Sequence, residues 1–332
     1  PHGSMKKTAI LATTQKGRLL AERIAAQLEG AEICSSDHGV RKALEDAWHR
    51  YDHIICVMAV GIVVRCVAPL CRDKFEDPGV VVVDEVGRHA VSLLAGHIGG
   101  ANLLAQQIGS ICGAEPVITT GSDVSGHTAI DLWAVEQNLA LRNPESVASI
   151  ATSLLDTGSI NVFQQQDYVK SLPGDFRTCK NPLDADIVIA LNWREEEHRL
   201  VLVPRIHYIG LGCRRGVSVD EFSAALNDLQ ENCGLELDSV AGVASIDIKK
   251  DEAALLRIAE LHKWPVRFFD RQQIGSVSVP TRSEAVHRNV GVYGVCEAAA
   301  LLAASAGTTP GHLLIKKIKW KRITAAVAQR AF

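Results

Sequence analysis

Residues 79–121 read GVVVVDEVGRHAVSLLAGHIGGANLLAQQIGSICGAEPVITTG, and this stretch decides the fold. Its apolar runs at 79–85 and 89–96 have the length and composition of buried strands. A glycine cluster then leads into the helical sequence ANLLAQQIGSIC, and EPVITTG (115–121) reads as a further strand. Strands that alternate with helices indicate a mostly parallel sheet covered on both faces.

The same alternation continues toward the amino terminus. KKTAILATT (6–14) and HIICVMAV (53–60) are predicted strands, and the intervening GRLLAERIAAQLEG places Leu20 and Ile24 on one helical face. Together with the deciding stretch, these segments predict one α/β domain over residues 5–133.

The pattern weakens and then returns. Residues 134–204 contain strand-like runs with poorly marked helices, whereas IHYIGLG, VASIDI and PVRFFD again alternate with amphipathic helices. Ser218 and Glu221 have the spacing of a capping box at the start of one helix. The predicted fold class is therefore α/β, with two three-layer α/β domains that have mostly parallel sheets. These domains, at 5–133 and 205–332, are joined by a smaller α/β central region.

Composition excludes several classes of protein. The chain has 332 residues, of which 47% are hydrophobic, and its net charge is -3. It therefore lacks the marked excess of basic residues that is usual in nucleic-acid-binding proteins. Apolar runs stay shorter than the roughly 18–20 residues of a membrane span. The nine cysteines include no C-x-x-C pair. We therefore expect a soluble cytoplasmic protein with reduced thiols, no metal site, and neither nucleic acid nor membrane among its partners.

The first candidate site is the loop from Gly96 to Asn102. Gly99 and Gly100 would let the backbone approach a ligand, and the loop opens a helix, where N–H groups favour an anion. His97 can exchange a proton near neutral pH. The loop also follows a strand, and open α/β sheets place ligands at carboxyl ends of strands. The alternative is a tight turn with a capping histidine.

Three further features of this half of the chain have two interpretations each. Thr119 and Thr120 end a predicted strand and could bind polar groups or cap a helix. Arg65 could hold a carboxylate or be a solvated surface cation. Asp84, just after the VVVV run, could be a general base or a structural cap.

The second glycine loop, GLGCRRG (210–216), also leads from a strand to a helix. Gly212, Arg214 and Arg215 have the chemistry of a carboxylate site. Cys213 could be a nucleophile at a helix start, but the sequence places no catalytic partner beside it.

Two features remain near the carboxyl terminus. A basic run begins at Lys316 and could be a solvated strand edge or an attraction for an anionic ligand. Glu297 lies in the apolar helix sequence VCEAAAL, so it is either a functional carboxylate or a buried structural one.

The quoted motifs together resemble one family. The stretch from VGIVVRCVAPL through GHIGGAN to VITTGSD is similar to the amino-terminal domain of the CbiG family. GLGCRRG, VASIDIKKDE, SVPTRSEAV, GVCEAAAL and LLIKKIKWKRITAAVA are similar to its carboxyl-terminal domain, which also occurs as a separate protein. The similarity covers most of residues 6–133 and 206–330. One departure is Ile315, where the family pattern has proline.

The resemblance implies a reaction. The family hydrolyses cobalt-precorrin-5A in anaerobic cobalamin biosynthesis: water opens a δ-lactone, and a two-carbon fragment leaves as acetaldehyde. The substrate is a cobalt tetrapyrrole with many carboxylates. The cobalt is carried by the substrate, so no cofactor is expected on the protein.

Site roles are then expected as follows. His97 would be the acid/base, Asp84 would orient it or act as a second base, and Glu297 would be a further catalytic carboxylate. The N–H groups from Gly99 to Asn102 would bind an oxyanion or an acetate. Carboxylates would be held by Arg65, Arg214, Arg215 and, more weakly, Lys316. The remaining residues expected at the substrate are Gly96, Gly100, Thr119, Thr120 and Gly212.

A rival hypothesis is a non-enzymatic protein that binds cobalt tetrapyrroles and hands them on. Under either hypothesis the expected partners are the tetrapyrrole, neighbouring enzymes of the pathway and a second copy of the chain in a homodimer.

Overall fold

The computed structural model describes residues 6–73, 75–121, 125–194, 199–281, 291–292, 294–305 and 309–330. The chain divides into two compact units, Pro1–Trp133 with Ala151–Ser159, and Ala134–Ile150 with Ile160–Phe332. Three mostly parallel sheets are interleaved with helices, which confirms the predicted α/β fold class. The predicted domain boundaries after residues 133 and 204 stay a prediction.

The first unit contains a six-stranded sheet of order β2-β1-β3-β4-β5-β6. Its strands are β1 (Thr8–Ala12), β2 (Ala31–Ile33), β3 (His53–Val57), β4 (Gly79–Val83), β5 (His89–Leu94) and β6 (Glu115–Val117). Its helices are α1 (Gln15–Ala25), α2 (Val40–Trp48), α3 (Val60–Val67) and α4 (Ala101–Cys112), and α5 (Ile130–Glu136) begins in this unit. Helices α1 and α4 pack on one face and α2 and α3 on the other, so strands β1, β3 and β4 are buried on both faces.

Strand β5 runs against its neighbour β4. Val80 pairs with Leu94 and Val83 with Ala90, so β4 and β5 form an antiparallel hairpin. The residues that follow β5 therefore lie at the edge where β1, β3 and β4 begin. The first glycine loop does follow the carboxyl end of β5, which is parallel to β6, but it lies at the edge opposite the carboxyl ends of β1, β3 and β4. Ligand binding by this loop stays a prediction.

The central region forms a five-stranded sheet of order β7-β11-β10-β8-β9. Strands β8 to β11 are parallel, and β7 pairs antiparallel with β11. Its elements are β7 (Leu139–Leu141), α6 (Val147–Thr157), β8 (Ile160–Gln164), β9 (Phe176–Thr178), β10 (Ile187–Ile189) and β11 (Leu200–Pro204). Buried Asn143 supports the sheet by donating to the carbonyl of Arg199 at 2.7 Å and accepting from the N–H of Val201 at 2.8 Å.

The carboxyl-terminal sheet has the order β14-β13-β12-β16-β15. Strands β12, β13 and β14 are parallel, and β16 is antiparallel to both β12 and β15. The strands are β12 (His207–Cys213), β13 (Val240–Ile246), β14 (Val266–Phe269), β15 (His312–Lys319) and β16 (Ile323–Gln329). The helices are α7 (Val219–Cys233), α8 (Ala253–Leu261), α9 (Arg271–Ser276) and α10 (Cys296–Ala304).

Two sequence features explain how this sheet is covered. Ser218 and Glu221 form the predicted capping box, with the Glu221 N–H donating to the Ser218 hydroxyl at 3.2 Å, and α7 packs with α8 on one face. On the other face the alanine-rich α10 is buried against β12. A Cβ at Gly210 would overlap the carbonyl of Cys296, so this close approach requires glycine.

Candidate functional site

The first glycine loop is closed by its own chain. A Cβ at Gly96 would lie 2.7 Å from the side-chain oxygen of Asn102, and one at Gly99 would overlap Ala95. A Cβ at Gly79, where β4 begins, would lie 2.6 Å from the carbonyl oxygen of Gly99. These glycines are therefore needed because backbone packs on backbone and on buried side chains. Close approach to a ligand is not needed to explain them.

The backbone donors of the loop are also used within it. Gly100 N–H donates to the carbonyl of His97 at 2.9 Å, Ala101 N–H to Ala95 at 3.3 Å and Asn102 N–H to Gly96 at 3.0 Å. Three of the four N–H groups expected to bind an oxyanion or an acetate, those of Gly100, Ala101 and Asn102, thus already have an acceptor. Anion binding by the Gly99 N–H stays a prediction.

The side chain of Asn102 is the centre of a polar network. Its oxygen accepts from the Ser92 hydroxyl at 2.7 Å, and its nitrogen donates to the Thr120 hydroxyl at 2.9 Å. Thr120 reaches the loop because β6 runs parallel to β5, while Thr119 is exposed. The structure thus brings Thr120 to the loop, in contacts that fix Asn102; substrate contacts by these residues stay a prediction.

His97 lies beside a carboxylate that the sequence did not indicate. Its Nδ1 is 3.5 Å from Oδ1 of Asp131, and the two side chains are 16% and 10% exposed. Asp131 is in the first turn of α5, within the apolar sequence IDLWAV. An acidic residue among apolar neighbours was the available signal, and the sequence alone gave no reason to place it near His97.

Asp84 occupies the turn of the β4–β5 hairpin. Its carboxylate accepts from the N–H groups of Val86 at 3.0 Å, Arg88 at 2.8 Å and His89 at 2.7 Å. Burial would raise the pKa of Asp84, but these hydrogen bonds outweigh it and lower the pKa. The prediction that Asp84 orients His97 is wrong, because the length of β4, about 15 Å, separates the two ends of the hairpin. Its role as a second base stays a prediction.

A cavity of about 720 Å³ opens at the carboxyl ends of β1, β3 and β4. We call it the carboxyl-edge cavity, and its lining is Thr13, Thr14, Met58, Ala59, Val60, Ile62, Val82, Asp84, Glu85, Val86, His89, Val91 and Val117. Val60, Ile62 and Val86 are exposed apolar side chains. Arg65 lies on α3 with its guanidinium turned toward Gly61 near the start of the helix. The sequence analysis missed this cavity because its walls come from four separate segments.

The carboxyl-terminal unit has its own cavity, of about 430 Å³. It is lined by Gly212, Cys213, Arg214, Ile246, Ile248, Lys249, Val295, Cys296, Lys317, Lys319, Trp320, Lys321, Arg322, Ile323 and Thr324, and we call it the cationic cavity. It lies at the carboxyl ends of β12 and β13. Six of its lining residues are lysine or arginine, and their apolar neighbours include Trp320, so it suits a ligand with several carboxylates around an apolar body.

Two predicted anion-binding residues lie outside this lining. Arg215 pairs with Asp251 at 3.1 Å, where both side chains are exposed, and Lys316 is exposed beside the cavity-lining Lys317. The structure therefore assigns Gly212 and Arg214, but neither Arg215 nor Lys316, to the cationic cavity. The sequence indicated the basic run without showing which of its lysines face inward.

Glu297 and Cys213 take structural positions. Glu297 is 1% exposed and accepts from the N–H and hydroxyl of Thr281 and from the N–H of Lys317, at 2.9–3.0 Å. These contacts hold β15 and agree with the structural alternative for Glu297, and a catalytic role stays a prediction. Burial raises the pKa of the Cys213 thiol, and the nearby cations do not reverse the shift, which argues against a nucleophilic thiolate.

Two further properties of the described residues bear on the site. No group of three or more His, Cys, Asp or Glu side chains in this part of the chain is arranged to hold a metal ion. None of the helices described is long and apolar enough to span a bilayer. The chain is thus an α/β protein whose first unit holds a largely shielded imidazole–carboxylate pair and whose second unit holds a cavity that suits a polyanionic ligand.

Comparisons with known proteins show to which family of α/β proteins the chain belongs. Residues 42–123 match the family described as Cobalamin synthesis G N-terminal, and residues 207–328 match Cobalamin synthesis G C-terminus. A cobalt-precorrin-5A hydrolase of Priestia megaterium is 32% identical over 308 residues, 87% of this chain and 81% of that protein. The hydrolase of the same name from Salmonella typhimurium is 29% identical and covers 95% of both chains. The chain belongs to the CbiG family, which confirms the resemblance.

A third relative matches a shorter stretch of the chain. Protein CobE of Sinorhizobium sp is 30% identical over 122 residues, which are 36% of this chain and 77% of that protein.

Proposed function

We propose that this protein is a hydrolase that opens the δ-lactone of cobalt-precorrin-5A and releases acetaldehyde, giving cobalt-precorrin-5B. The observation that carries the proposal is the similarity to proteins named cobalt-precorrin-5A hydrolase over 87–95% of the chain. The two family matches, at residues 42–123 and 207–328, include both glycine loops and the lining of the cationic cavity. The similarity to named hydrolases disfavours the hand-over hypothesis.

The reaction needs two bond cleavages. Water adds to the lactone carbonyl, and the acyl–oxygen bond breaks to give a carboxylate and a carbinol. The carbinol then loses its proton to a base while its carbon–carbon bond to the ring breaks. The two-carbon unit leaves as acetaldehyde, and the electron pair passes into the conjugated macrocycle, which takes up a proton. A group that both accepts and returns protons near neutral pH serves both steps.

His97 is the side chain that we assign to this acid–base role. Its imidazole is largely buried beside a carboxylate, and such surroundings strengthen electrostatic interactions. Its backbone is held by the closed loop, because its carbonyl accepts the N–H of Gly100 at 2.9 Å. Asn102 and Thr120 would keep this loop in one conformation.

The cationic cavity is the part of the chain that we assign to the carboxylates of the macrocycle. Arg214 and Arg322 can form paired hydrogen bonds with a carboxylate, and the lysines of β15 add charge. We expect no protein-bound cofactor, since the cobalt arrives with the substrate. We further propose a cytoplasmic protein whose partners are neighbouring enzymes of the pathway and a second copy of the chain.

The test is direct. The pure protein is incubated anaerobically with cobalt-precorrin-5A, and acetaldehyde is measured through NADH oxidation by alcohol dehydrogenase. Release of one acetaldehyde per substrate supports the proposal. Stoichiometric binding of the tetrapyrrole without acetaldehyde would instead support the hand-over protein, and no binding would exclude both functions.

A further inference from the structure

We propose that Asp131 is a positioning residue, which holds His97 in the tautomer with its proton on Nδ1 and so makes Nε2 the proton-accepting nitrogen of the ring. This inference rests on the proposed function, in which His97 acts as the acid–base group. It concerns a residue that the sequence patterns did not single out.

The geometry of the pair is the first argument. His97 Nδ1 lies 3.5 Å from Asp131 Oδ1, and both side chains are largely shielded from water. A neutral imidazole carries one proton, and a carboxylate beside Nδ1 favours that proton there, because a carboxylate can only accept. Catalytic hydrogen bonds are often long without substrate and shorten in the complex.

The carboxylate itself is held in place. Its Oδ1 also accepts the N–H of Leu132 at 2.9 Å, which fixes the side chain against the first turn of α5. A carboxylate in the first turn of a helix is stabilised by the helix dipole. The Oδ1 atom of Asp131 is thus held where it can accept a proton of the imidazole.

A second histidine–aspartate pair in the same unit shows what is specific here. His89 Nδ1 lies 3.6 Å from Asp84 Oδ2, almost the same distance, but these side chains are 54% and 36% exposed. The Asp84 carboxylate also accepts hydrogen bonds from the N–H groups of the hairpin turn. The His97–Asp131 pair is the one that combines proximity with shielding from water.

The first measurement does not depend on activity. The ¹⁵N shifts of the His97 ring, assigned by difference from His97→Ala, report which nitrogen carries the proton. We expect the Nδ1–H tautomer in the full-length protein, and a mixture or the other tautomer in Asp131→Ala. An unchanged tautomer in that variant would overturn the inference.

The second measurement is turnover of cobalt-precorrin-5A. We expect Asp131→Ala and Asp131→Asn to lower kcat by roughly 10²-fold, within the range for loss of acid–base catalysis, with KM changed by less than about twofold. Asp131→Glu should recover part of the lost kcat. The matched control is Glu136→Gln, which removes an exposed carboxylate from the same helix and should leave kcat and the tautomer unchanged.

The outcomes separate the two hypotheses. If the wild-type protein releases no acetaldehyde, the proposed function fails, and the tautomer measurement still decides the pairing. If wild type turns over and Asp131→Ala keeps full kcat, or loses kcat only in proportion to folded protein, Asp131 has no positioning role.

Discussion

The two glycine loops of this chain look alike in sequence and differ in structure. Gly96–Asn102 follows a reversed strand and packs on the edge where the parallel strands begin, with its donors used internally. In the second motif, residues 210–213 are the end of β12, a strand of the parallel set, and Gly212, Cys213 and Arg214 line the cationic cavity. Both loops contain a glycine that packs on its own chain, Gly99 in the first and Gly210 in the second, so the loops differ in the direction of the preceding strand and in the cavity that Gly212 and Arg214 line.

The largest expected effect is on turnover and tests the catalytic role assigned to the first loop. His97→Ala should lower acetaldehyde release by about 10²–10⁴-fold, because it removes the assigned acid–base group of the first loop. The coupled alcohol dehydrogenase assay measures the rate, and thermal unfolding checks that the fold is intact. Full turnover in a folded His97→Ala protein would mean that the first loop has a structural role alone.

A second comparison separates the loops by packing. Gly99→Ala should destabilise the protein by about 2–3 kcal/mol, since the added methyl group meets the backbone and Cβ of Ala95. Gly212→Ala should cost below about 1 kcal/mol, because its nearest obstacle is the Thr324 hydroxyl, at 2.6 Å, which can rotate away. Urea unfolding at pH 7 measures both, and equal losses would contradict the contrast.

The histidines that begin β3 and β12, His53 and His207, make the stability of the protein depend on pH. Burial lowers the pKa of His207 to about 4, and burial with the charge of Lys6 lowers the pKa of His53. His207 stays neutral in the native protein while the unfolded chain takes up a proton below about pH 6.5. Its contribution is therefore complete above that pH and is lost as the pH falls toward 4.

We expect this titration to remove up to about 3 kcal/mol of stability between pH 7 and 4. Urea unfolding of wild type and His207→Asn across this range measures it. The difference in stability between the two proteins should shrink as the pH falls. A pH-independent difference would show that His207 does not titrate in this way.

The smallest expected effect maps the cationic cavity. Arg214→Ala or Lys319→Ala should each weaken binding of cobalt-precorrin-5A by about tenfold at low salt, and less at higher salt. Arg215→Ala and Lys316→Ala are the controls, since their side chains lie outside the lining, and they should change the affinity by less than about twofold. Equal losses in all four variants would mean that general charge attraction, and not the cavity, binds the substrate.

The sequence predicted those parts of the fold that local patterns determine. Ser218 and Glu221 form their capping box, and the α/β class follows from buried runs that alternate with helices. The sequence also contains a signal for the reversal of β5, which was not among the predictions. The segment between β4 and β5 is too short for the crossover that parallel strands require.

The site was harder to predict because it depends on contacts between distant residues. Asp131 reaches His97 across 34 positions of sequence, and no local pattern joins them. The choice between Lys316 and Lys317 failed for another reason. Two register shifts interrupt β15, between Leu313 and Ile315 and between Ile315 and Ile318. The simple alternation of side chains along a regular strand therefore does not predict which lysines face the cavity.

Those interruptions have a consequence for solubility. β15 is the end strand of its sheet, and an open edge can recruit strands from other molecules. Irregular register and closely spaced lysines oppose such pairing, so the residues that we assign to ligand binding also protect the sheet edge from aggregation. Lys→Arg replacements, which keep the charge, would therefore separate ligand recognition from colloidal stability in this region better than truncation to alanine.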